Sequence, residues 1–137
     1  MTALIELLHQ GDYSCVIQNG DTRVFNRKGV ADIYTLLENE PEFLRGSQIA
    51  DKIVGKAAAA LMILGNVKSI YADIISEPAL ELLREADVPV DFARIVPFIR
   101  NRDNTGWCPL ETACHDKSIT DILSVIAEKV NVKKFTP

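Results

Sequence analysis

Basic residues are in short supply: 15 Lys and Arg stand against 19 Asp and Glu, a formal net charge of −4. Phosphate neutralisation needs a basic stripe, and the scattered cations together with Lys133-Lys134 do not make one, so no nucleic-acid partner is expected. Long apolar runs are also missing. None reaches the roughly 18 residues of a membrane span, and the opening segment Met1 to Leu8 carries Glu6 in place of a basic leader, so no membrane partner is expected and a cytoplasmic location is. Cysteine is scarce and unpaired. Cys15, Cys108 and Cys114 are an odd set without regular spacing, which suits free thiols in a reducing compartment. Cys108, Cys114 and His115 match no common zinc knuckle, so no metal and no cofactor is expected.

What remains is an ordinary balance of apolar and charged residues over 137 positions, enough for one domain, residues 1–137, with one sizeable core. Leu4, Ile5, Leu7 and Leu8 mark a short first helix over residues 2–10, broken by Gly11-Asp12. Residues 13–18 and 22–25 are rich in β-branched and aromatic types, and Asn19-Gly20 between them predicts a hairpin with a type I′ turn. A second helix begins at Lys28-Gly29, carries Val30, Ile33, Leu36 and Leu37 on one face, and fades before Pro41. From Ile49 to Leu64 the chain is apolar on nearly every side and stops at Gly65-Asn66, which predicts one enclosed central helix.

Residues 67–75 read as an interior strand, 77–86 as a helix and 88–92 as another strand, an alternation that implies parallel pairing. Arg94 to Ile99 is a further edge strand or irregular segment because of Pro97. A polar loop, residues 100–107, leads to a short helix opened by Cys108-Pro109, and Ser118 caps a final helix through Val130.

The stretch Ile74-Ile75-Ser76-Glu77-Pro78-Ala79-Leu80-Glu81-Leu82 runs from strand through a Glu-Pro turn into a helix. It resembles the second zinc motif of the cytidine deaminase superfamily, Glu-Pro-Cys-x-x-Cys, with Ala79 and Leu82 where the thiolates would be. With Gly55-Lys56-Ala57-Ala58-Ala59 and the segment from Asn101 to Glu111, the chain is similar to a bacterial family of unknown function assigned to that fold. The resemblance implies a three-layer α/β/α sandwich with a mixed sheet of four or five strands, the hairpin at one edge. It also implies that zinc-dependent deamination is lost, since residues 47–66 contain no His, Cys or Glu to supply the first ligand or the proton shuttle.

Lys56 is the sole charge between Ile53 and Val67, and either reaches solvent along its stem or faces the former active-site cleft to meet an anion. Lys52 is expected one helical turn before it. Ser76 and Glu77 open a helix at a strand's carboxyl end, where N–H groups favour negative ligands, although Ser76 also suits a plain N-cap. Cys108 beside Pro109 is either a packed, inert thiol or a reactive one at a helix start. Lys52, Lys56, Ser76, Glu77 and Cys108 are therefore the candidate site for a small anionic or nucleotide-like ligand. The competing expectations are a metal-independent enzyme with Cys108 or Lys56 as nucleophile, and an interaction module in which the first or last helix docks a second subunit to form a homodimer.

Overall fold

The computed structural model describes residues 1–26, 30–99 and 118–135, with side chains as far as Glu128. Its elements are α1 (Thr2–Gln10), β1 (Cys15–Asn19), β2 (Asp21–Phe25), α2 (Ala31–Asn39), α3 (Pro41–Leu44), β3 (Gln48–Val54), α4 (Lys56–Leu64), β4 (Ser69–Ser76), α5 (Glu77–Glu85), β5 (Val90–Val96) and α6 (Ile119–Phe135). The strands form one mixed sheet in the order β2-β1-β3-β4-β5. β1 is antiparallel to both β2 and β3, while β3, β4 and β5 run parallel. Helices lie on both faces, which places the chain in the α/β class.

The faces are unequally covered. On one, α1 buries Leu4 and Leu8 against Val16 and Ala50. On the other, α2, α4, α5 and α6 enclose the larger core, in which Ile17, Ile49, Ile70, Leu61, Met62, Leu83, Ile122 and Ile126 are fully or almost fully buried. The alanine row 57–60 is buried throughout, so α4 needs no long side chains to fill its place between the sheet and its neighbouring helices.

Three expectations change. The single helix from Ile49 to Leu64 is in fact strand β3 and helix α4, separated by Gly55. A strand buried on both faces and a buried helix both read as unbroken apolar runs; the β-branched Ile49, Ile53 and Val54 before the glycine are what favour the strand. Residues 88–92 and 94–99 are not two segments but the one strand β5, which ends before Pro97. As an edge strand it lets Asp91 and Arg94 stand exposed, so charge did not interrupt it. The hairpin is present, but Asn19 pairs with Asp21 and among the turn residues only Gly20 has positive φ, at 77°, so the turn is not type I′. Asn19 instead donates through Nδ2 to the carbonyls of Phe43 and Arg45, each at 2.9 Å, tying the hairpin to α3.

One irregularity shapes the site. Ile70 and Ala72 face the larger core, as does Ile75 rather than Ile74; in β3 the same core takes Ile49 and then Val54. Period two would forbid both steps. The register between the strands keeps its offset across this point, from Asp51↔Ala72 to Ile53↔Ile74, so both strands slip together. Within the slip, Oδ1 of Asp51 accepts the N–H of Ile53 at 3.2 Å, a local side-chain bond of the kind that competes with a regular ladder. Ile53 is turned outward and is 51% exposed.

Candidate functional site

Val54 lies beside Ile75 in the parallel pair β3–β4, so the turns that follow, Gly55-Lys56 and Ser76-Glu77, are neighbours at the carboxyl edge of the sheet. Both open nine-residue helices. They differ in how the first N–H groups are treated. At α5, the buried Ser76 Oγ accepts the N–H of Ala79 at 3.2 Å, Pro78 occupies the first turn, and Glu77 adds a negative charge that suits the helix dipole. Ser76 is thus the N-cap. At α4 the N-cap is Gly55 in extended conformation, which has no side chain to accept anything. Lys56 is the first residue of that helix and is partly buried.

Behind this edge stands a pair that the sequence reading passed over. Cys15 and Asp51 are partners across the antiparallel strands β1 and β3, and both face the larger core. Asp51 is only 9% exposed, and burial pushes its carboxyl up to about 7. The N–H groups of Ile53 and Lys52 and the Cys15 thiol, all donating to it, oppose that rise, and the charge of Asp73 adds to it. Burial likewise pushes the Cys15 thiol well above its usual range, reinforced by Asp51 and by Asp32 in the first turn of α2. Cys15 therefore stays a neutral thiol, a donor and not a nucleophile. The pair lies where the sheet changes from parallel to antiparallel pairing.

Of the expected site residues, Lys56, Ser76 and Glu77 do come to one edge of the sheet. Lys52 does not sit one helical turn before Lys56. It is a strand residue on the α1 face, where its Nζ donates to Asp12 Oδ1 at 2.5 Å. The reason is the misread strand: alternation in β3 sends Lys52 to the face opposite Asp51. Glu77 is exposed and borders a shallow depression of about 280 Å³ between α5 and β5, with Leu80, Glu81, Arg84, Glu85 and Ile95. Cys108, its short helix and the loop before it lie outside the described residues.

On the α1 face, His9 has Nε2 at 2.8 and 2.9 Å from the two oxygens of Asp73, and the Tyr71 hydroxyl donates to Asp73 Oδ1 at 2.8 Å. Nothing local in the sequence marks His9, since its partner is 64 positions away. This group, with Lys52 and Asp12, fastens the carboxyl end of α1 to the sheet.

The crystal structure of a DUF1893 family protein, TM1506 from Thermotoga maritima, is similar with a TM-score of 0.87 and 25% sequence identity, over 93% of this chain and 88% of that one. No curated protein matches the chain. The model of the same domain of unknown function matches residues 3–130, so the chain belongs to the DUF1893 family.

Proposed function

We propose that this protein binds a small anionic, nucleotide-like ligand at the carboxyl edge of β3, on a scaffold of the cytidine deaminase type that no longer performs zinc chemistry. The scaffold reading is supported by a mixed sheet with the hairpin at one edge, followed by helix, strand, helix and strand in turn. Recognition of β3 moves the correspondence by one unit. The helix after the hairpin is α2, and the strand-to-helix turn that follows is Val54-Gly55-Lys56-Ala57-Ala58-Ala59, which takes the place first given to Ser76-Glu77-Pro78. Neither turn contains a cysteine or histidine, so the loss of the thiolate ligands holds in both registers.

The observation that carries the binding reading is the amino end of α4. Its first-turn N–H groups receive nothing from Gly55, they stand at the sheet edge next to the switch in strand direction, and Lys56 adds a positive charge there. Ser76 serves α5 and leaves the α4 end as the seat.

A thermal-stability screen against nucleotides and phosphorylated metabolites tests this. A ligand present at about ten times its Kd raises the midpoint by about 5 °C, and Lys56→Gln reduces the response. No shift with any compound at millimolar concentration overturns the reading.

A further inference from the structure

β5 is the outer strand of the sheet, and among the described residues no strand pairs with its far side. Val90 to Val96 contains neither proline nor glycine, so the strand is open to a neighbour along its length. The carbonyl of Pro89 accepts the N–H of Ile70, and alternation along the ladder then turns the backbone groups of Val90 and Phe92 away from β4. Beside this edge, Leu80 and the 42% exposed Ile95 floor the depression between α5 and β5. Its rim is a row of exposed carboxylates, Glu77, Glu81 and Glu85, four residues apart on α5, with Arg84 as one cation among them. None of the four forms an ion pair among the described residues. Like charges at that spacing destabilise a helix, and Glu85 in the last turn also opposes the dipole, so helix formation does not account for the row.

We propose that the cleft between α5 and β5 docks an extended, lysine- or arginine-bearing segment of a partner protein, laid along β5 as a sixth strand. α5 is the crossover between the parallel strands β4 and β5, and so runs back along them. The spacings then agree. Four helical residues advance about 6 Å and two strand residues about 6.6 Å, so cations at alternate positions of the segment meet Glu77, Glu81 and Glu85 in turn. Backbone hydrogen bonds at Val90 and Phe92 hold the segment, and Leu80 and Ile95 receive the aliphatic stems of its cations. A second copy of this chain does not suit the edge. A two-fold join at β5 sets both α5 helices on one face with their carboxylate rows side by side, in a chain whose net charge is already −4.

The test uses the full chain and a fluorescein-labelled peptide in which lysine and threonine alternate, beside a peptide of the same composition whose lysines form one block. Fluorescence anisotropy at low salt is expected to show tighter binding of the alternating peptide. Glu81→Lys, which relieves like charge on α5 and so does not threaten the helix, is expected to weaken that binding about fivefold, by removing one exposed ion pair and adding a repulsion. Glu6→Lys makes the same charge change on α1, at an exposed position on the other face of the sheet, and is expected to leave binding within about twofold. Amide hydrogen exchange at Val90 and Phe92 is expected to slow in the complex. Equal loss from both variants, equal affinity for both peptides, unchanged exchange at the two amides, or no binding at millimolar peptide overturns the proposal. Exchange there that slows with protein concentration alone shows a second copy at the edge, and overturns it too.

Discussion

Cys15 and Asp51 face one another across strands β1 and β3, a neutral thiol donating to a carboxyl that burial holds near neutrality in its titration. Two ionisable side chains thus occupy core positions, and Asp51 supplies there the acceptor that the N–H of Ile53 needs.

Stability should fall as the solution is made more alkaline. Asp51 titrates at about 7 in the fold and near 3.8 when unfolded, so between those values the folded chain holds the extra proton. The contribution is complete below about pH 4 and is lost as pH climbs through 7, by about 4 kcal/mol in all, after which it is flat. Asp51→Asn should remove this slope and be more stable than the wild type at pH 8, with little difference at pH 4. Urea unfolding at a series of pH values measures it, and an unchanged slope in the variant contradicts the assignment.

Ser76→Ala should cost about 1 to 2 kcal/mol, because the N–H of Ala79 loses its acceptor in a buried place that water does not reach. Chemical unfolding gives the value. A neutral result would mean that α5 does not depend on its cap.

α1 should open before the rest of the molecule. It has nine residues, no side-chain cap and two buried leucines, and it rests on a cluster separate from the main core. Native-state hydrogen exchange should find its amides less protected than those of α4 and β4. Equal protection would show the two faces to be one cooperative unit.

Much of the architecture was legible because local signals agreed with the fold. The hairpin, the strand before Ser76, the Ser76 cap and the Ser118 cap, whose Oγ accepts the N–H of Asp121 at 3.3 Å, all rest on short-range chemistry. β3 was not legible, because most of residues 49–54 are covered by elements distant in sequence, and the run then reads as continuous with the apolar helix that follows, with only its β-branched residues and Gly55 to mark the change. That one misreading hid Asp51. Read as part of a helix, it was a charge at the helix's start; read as a strand residue, it is the partner of Cys15. Asn19 failed as a turn residue for a similar reason, since carbonyls at Phe43 and Arg45 claim its amide. His9 and Asp73 meet only after the 63 residues between them have been folded.

The two adjoining turns at the sheet edge share a strand direction, a helix length and a common rim, yet one is plugged from within by the Ser76 hydroxyl while Gly55 leaves its companion bare. In the proposed binding role, the choice between these near-identical mouths is made by a single oxygen. A hydroxymethyl group placed at position 55, where φ is −97° and suits any residue, would offer the first N–H groups of α4 the same acceptor and stopper the proposed seat.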